Sequence, residues 1–211
     1  MDGNQRWSKK NKKKIEEGYI AGFNNLEKII NYCLKINIKY ITVFALSSEN
    51  LKRNSSYLIF KIIRKIYKKL LKDLTSNKIN INIVGEKKNL PEDILEIFEK
   101  IKHSKENNLQ LNIAFNYGVQ YEVKNIIESF IENNPKKINL KMIRQKMYLG
   151  NIPDPEILIR TGGFQRLSNF MLLNLSYSDL FFTKTLWPDF SIKELENIFD
   201  KYRNIKRNYG L

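Results

Sequence analysis

One cysteine and one histidine in 211 residues leave little room for thiol or soft-metal chemistry. A lone thiol, Cys33, excludes an internal disulfide and fits a reducing compartment. It falls among Ile29, Ile30 and Leu34 in a helical pattern and reads as a packed core thiol. His103 lies in a polar stretch (KIKHSKENN) and reads as a loop residue, so no zinc set and no Cys–His nucleophile pair is expected. No apolar run approaches the roughly 18 residues of a spanning helix, and no secretory signal is recognisable. A soluble protein is expected, cytoplasmic or, after processing, in an organelle's stroma. Acidic residues are also scarce, 22 against 37 lysines and arginines, for a net charge of +15. That excess suits nucleic acid, an anionic membrane surface, small polyanions such as diphosphates, or simply a Lys-, Asn- and Ile-rich composition. Charge alone does not choose among them.

What is present argues for one sizeable domain. Hydrophobic residues make up 42% and aromatics 12%, enough for a real core. Apolar spacing predicts a helix over 19–36, a buried strand over 38–46 and a helix over 57–74. Strands follow at 81–85, 109–116, 156–160 and 179–183. Helices are expected from Pro91, over 120–133 and after Asp189. Alternation of this kind means an α/β fold with a mostly parallel central sheet ringed by helices. There is no internal repeat and no linker.

Ligands of open α/β sheets gather outside the carboxyl ends of the strands, and the polar residues of this sequence cluster there. MDGNQRW (1–7) allows a tight turn that exposes backbone N–H groups, with Arg6 beside them. SSENLKR (47–53) sets two hydroxyls, a carboxylate, an amide and Arg53 at a strand exit; a helix cap would use the same residues. IRTGGFQRLSNF (159–170) surrounds two glycines with Arg160, Arg166 and Ser168, groups suited to bidentate diphosphate binding.

These segments, in this order, resemble the cis-prenyltransferase family, of which undecaprenyl diphosphate synthase is the bacterial member. MDGNQRW is similar to the family's MDGNxRW, GYIAG (18–22) to GHxxG, and FALSSENLKR to FSxENWxRP. LNIAFNYG is similar to LNIAFNYGG, PDPEILIRTGGFQRLSNF to PDPDLLIRTSGExRLSNF, and LSYSDLFFTKTLWPDF to LAYSELYFTxxLWPDF. The resemblance implies a homodimer with a hydrophobic tunnel for the growing chain. It also implies condensation of isopentenyl diphosphate onto an allylic diphosphate such as farnesyl diphosphate, giving a Z-polyprenyl product with Mg2+. By the same resemblance Asp2 assists departure of the allylic diphosphate and shares magnesium with Asp179. Gly3, Asn4, Gln5 and Arg6 hold the allylic diphosphate, while Trp7 and Tyr19 border it. Ser47, Ser48, Glu49, Asn50, Leu51 and Arg53 line the gap between substrates. Arg160, Arg166, Leu167 and Ser168 hold isopentenyl diphosphate. Asn50 orients the oxygen that accepts the released proton, a carboxamide being too weak a base to keep it. Peripheral membrane contact would serve product release.

The sequence departs from that pattern in places. Tyr19 stands for the family's histidine, Ile15 for a basic residue beside Lys12–Lys14, and Leu51 for a tryptophan. Asn54 replaces a proline, Phe164 an acidic residue, Val119 and Gln120 a Gly-Arg pair, and Asn208 an arginine that reaches the partner. The family's first strand, ahead of the MDGN motif, is not in this sequence, so a chain starting upstream with apolar β-branched residues is expected. Two other readings compete. A non-catalytic partner subunit of the same fold usually loses the aspartate that Asp2 keeps. A nucleic-acid-binding protein would need a recognition module, and no such signature occurs.

Overall fold

The computed structural model describes residues 1–51, 57–65, 79–101 and 108–206. The chain opens with helix α1 (Asn4–Lys10) and the long helix α2 (Ile15–Lys35). Strand β1 (Tyr40–Ser47) runs into a single turn of helix, α3 (Ser48–Leu51). Helical turns at 57–65 precede β2 (Ile79–Val84), α4 (Glu92–Glu99) and β3 (Leu109–Tyr117). Then come α5 (Val119–Asn133), α6 (Leu140–Lys146), β4 (Ile157–Arg160) and β5 (Asp179–Phe182). A 3-10 turn (Trp187–Asp189) and α7 (Ile192–Arg203) close the described chain. The rest of the expected 57–74 helix, Arg53, His103 and Asn208 lie outside the described residues.

Among the described residues the strand pairings are all parallel, as the alternation of elements requires. They form two sheets, β1–β3–β2 and β4–β5, where the sequence predicts one central sheet. One apolar core nevertheless serves both. Val43, Ile81, Leu109 and Leu111 pack with Leu26, Ile29, Ile30 and Cys33 of α2, and Ile157, Ile159 and Phe181 join them from the second sheet. Burial pushes the Cys33 thiol up to about 11, so it stays a neutral core group. A second apolar cluster, Leu46, Phe60, Ile94, Ile97 and Phe115, lies beneath the α3 turn, with Leu51 packed against it. A cavity of about 200 Å3 between β2, β3 and α4 is lined by Ile81, Ile83, Leu90, Phe98 and Phe115 among others.

Helix α1 is pressed onto α2 at Gly18 and Gly22, one turn apart. A Cβ on Gly18 would come 2.4 Å from the carbonyl oxygen of Asn4, and one on Gly22 would come 2.1 Å from the Asn4 side-chain oxygen. The Asn4 backbone cannot retreat from the first of these contacts as a flexible side chain can. The LWPDF segment then locks the pair. Trp187 donates its indole N–H to the Gly22 carbonyl at 2.7 Å, and the Asn25 amide donates to the carbonyls of Trp187 and Phe190. The GxxxG spacing and the distant tryptophan therefore serve one purpose, which is to fix the opening turn of the chain.

Candidate active site

The opening turn is anchored at both backbone atoms of Asp2. Its N–H donates to Thr161 Oγ1 at 3.1 Å, and its carbonyl accepts the Trp187 N–H at 3.0 Å and the Thr161 hydroxyl at 3.1 Å. Gly3 caps α1 with φ +112, and a side chain there would strike Leu186. The first intrahelical bond runs from the Trp7 N–H to the Gly3 carbonyl, so the N–H groups of Asn4, Gln5 and Arg6 precede the helical ladder.

The Asp2 carboxylate lies between two guanidiniums. Arg6 and Arg160 each approach one of its oxygens at 3.2 Å. Arg6 also donates to the Gly162 carbonyl at 2.6 Å, and Gly162 (φ +89) leaves room for that arginine, since a Cβ would meet its Nη2 at 2.5 Å. Arg160 continues the row, donating to the Arg166 carbonyl and, at 2.9 Å, to Ser168 Oγ. Ser168 and Asn169 hold left-handed backbone (φ 52 and 63), strain of the sort that marks functional loops.

Asn169 carries the row to the end of β1. Its amide donates to Glu49 at 2.7 Å, while its own carbonyl and side-chain oxygens accept the N–H groups of Val119 and Gln120. Burial works against the Glu49 charge, but bonds led by the one from Asn169 outweigh it and hold the carboxyl below its usual range. Ser47 Oγ accepts the Asn50 N–H at 3.1 Å, the capping role open to this segment from its sequence. Arg6, Asp2, Arg160, Ser168, Asn169 and Glu49 thus form one connected line across the strand ends.

Other expected residues fall around that line. Tyr19 accepts from the Gln5 amide at 3.0 Å, so the residue in the histidine position does touch the opening turn. Trp7 donates to Asp189 at 2.6 Å, and Lys13 lies over the Trp7 ring rather than at the turn. Ile15 opens α2, and Leu51 packs inward. Arg166 and Phe164 sit on the exposed loop after Gly163. Asp179 is placed elsewhere. It begins β5 in register with Ile157, whereas Arg160 pairs with Phe182. Three residues of strand, about 10 Å, separate its level from that of the Asp2 contacts. Thr161 and Asn169 were not singled out from the sequence, although both lie inside the quoted motif.

Three comparisons decide the family. The family model described as putative undecaprenyl diphosphate synthase matches residues 1–210. The chain belongs to the undecaprenyl diphosphate synthase family of prenyltransferases. An isoprenyl transferase of this family from Fusobacterium nucleatum is 36% identical, covering 100% of this chain and 93% of its own. A tritrans,polycis-undecaprenyl-diphosphate synthase (geranylgeranyl-diphosphate specific) from Pyrococcus furiosus is 35% identical over 100% of this chain and 84% of its own. Among solved structures, lavandulyl diphosphate synthase from Lavandula x intermedia, in complex with dimethylallyl diphosphate, superposes with a TM-score of 0.87. That protein is 27% identical, with 100% of this chain and 95% of that one covered.

Proposed function

We propose that this protein is an active cis-prenyltransferase that condenses isopentenyl diphosphate onto an allylic diphosphate, farnesyl diphosphate being the first candidate, to give a Z-polyprenyl diphosphate. The observation that carries the reading is the Asp2 carboxylate held between Arg6 and Arg160 at an exposed helix start. Breaking a C–O bond to diphosphate develops negative charge on the leaving group, and fixed cations stabilise that charge more than the ground state. Arg6 and the N–H groups of residues 4–6 hold the allylic diphosphate. Arg160, Arg166, Ser168 and Leu167 hold isopentenyl diphosphate. Ser47, Ser48, Glu49, Asn50, Leu51 and Arg53 keep the role that the resemblance gives them, lining the gap between the two substrates, with Asn50 orienting the proton-accepting oxygen. Tyr19 and Trp7 brace the opening turn.

Among the described residues no group of three or more His, Cys, Asp or Glu could cage a metal ion. The donor set fits Mg2+ all the same, because this hard cation uses one or two carboxylates plus substrate phosphates and water. Asp2, about one-third exposed, would hold it once freed from its arginines, and Asp179, about 10 Å away along its strand, would reach the same ion through water or a substrate phosphate. When bound, the ion neutralises charge developing on the departing diphosphate.

The protein is proposed to work as a homodimer in the cytoplasm. Helix α5 turns Val123, Ile127 and Ile131 outward at helical spacing, and Tyr177 is 98% exposed, an apolar surface that suits a second copy. Among the described residues no helix is long and apolar enough to cross a membrane, so contact with lipid for product release would be peripheral.

The deciding experiment supplies Mg2+, labelled isopentenyl diphosphate and farnesyl or geranylgeranyl diphosphate, then measures product length, with light scattering for mass. Label is expected in longer diphosphates that require Mg2+, from a particle of twice 25.1 kDa. No condensation with any allylic primer would reject the enzymatic reading, and a 25.1 kDa particle would reject the dimer.

A further inference from the structure

Phe164 stands where three positive charges converge. Its ring centroid lies 4.2 Å from the Arg166 guanidinium carbon, 4.8 Å from that of Arg6 and 5.8 Å from that of Arg160. These arginines come from α1, the end of β4 and the loop beyond it, and nothing in the covalent chain requires them to meet on one ring. Three neighbouring cations repel one another. The Asp2 carboxylate offsets one charge, between Arg6 and Arg160. Among the described residues no carboxylate forms an ion pair with Arg166.

The face of an aromatic ring attracts cations through its quadrupole and carries no net charge. A carboxylate at this position would also gather the arginines, but it would occupy their donors and cancel one more charge. We propose that Phe164 is a positioning residue that collects Arg6, Arg160 and Arg166 while leaving their charge for a diphosphate, so that it tunes affinity for the diphosphate group shared by both substrates. The inference rests on the prenyl-transfer reading only in naming the ligand's source. The ring is 39% exposed, so replacing it does not open the core.

The test uses the full chain with Phe164→Leu, Phe164→Tyr and Phe164→Glu, and inorganic diphosphate as the calorimetric probe. Leu removes the ring but keeps an apolar side chain, and weakens binding about three- to tenfold. Glu adds a competing anion and weakens it by more than about tenfold. Tyr keeps the ring and binds within about twofold of the parent. All three keep the parent's unfolding midpoint, and in turnover assays the Michaelis constants rise in Leu and Glu more than kcat falls. Parental affinity in the Leu or Glu variant overturns the inference, as does a loss in Leu that tracks its unfolding midpoint and that Tyr does not avoid. If no condensation occurs but diphosphate affinity follows the expected series, the enzymatic reading fails and the role of Phe164 stands. If condensation proceeds and the series is flat, the reverse holds.

Discussion

Replacing Asp2 with alanine should lower turnover by about three orders of magnitude or more, at roughly 1.4 kcal/mol of transition-state stabilisation per order. The side chain is the group that changes, because the backbone of Asp2 is held by Thr161 and Trp187 and does not depend on the carboxylate. The lost contacts are two partly exposed ion pairs at 3.2 Å, which contribute little to folding. Stability should therefore change by no more than about 1 kcal/mol. Asp2→Asn separates charge from shape, keeping an acceptor for the arginines but offering Mg2+ a poor ligand, and should be nearly as inactive. Steady-state kinetics beside thermal unfolding supply both readings. Turnover within tenfold of the parent would end the case for Asp2.

Arg160→Ala comes next in size, with kcat/KM for isopentenyl diphosphate expected to fall about a hundredfold or more. This arginine joins the two halves of the site, reaching Asp2, Ser168 Oγ and the Arg166 carbonyl from a side chain only 16% exposed. Its removal deletes a proposed diphosphate ligand and frees a loop whose Ser168 and Asn169 hold strained backbone. The Michaelis constant for isopentenyl diphosphate should rise more than that for the primer, and Arg6→Ala should show the opposite order. Arg160→Lys should rescue little, since a point charge cannot hold several acceptors in the geometry of a planar fork. Equal changes for both substrates would mean that the two diphosphate sites are wrongly divided.

The strands and long helices were legible because their signals are local. The β-branched run before Ser47 and the stripe on α2 predict their elements to within a few residues. Helix α6 was not legible. It has no buried residue, its Leu140 is 83% exposed, and its clearest mark is the Asn139 side chain accepting the Met142 N–H. The division into two sheets also escaped, because apolar runs report burial and not which strand pairs with which. Within the site, the charged residues that the resemblance singles out at Asp2, Arg6 and Arg160 do come together, while register sets the position of Asp179. Asp179 lies only three residues before Phe182, yet that displacement sets it at the other end of its strand. Thr161 and Asn169 act through hydrogen bonds to distant segments, and neither spacing nor hydropathy records such partners.

The anchoring of the opening turn also sets the order in which this protein can mature. Residues 2–7 find their partners at Thr161, Gly162, Trp187 and Asp189, more than 150 positions later in the chain. On a ribosome making about 5–20 residues per second, the first residues to emerge wait roughly ten seconds or longer for those segments. Strands β1, β2 and β3 can pair in the meantime, since all three lie before residue 118. The opening turn therefore cannot be completed until those segments have been made. A nascent or truncated chain that stops before the LWPDF segment can hold much of the first sheet and still lack the anchored turn that carries Asp2 and Arg6.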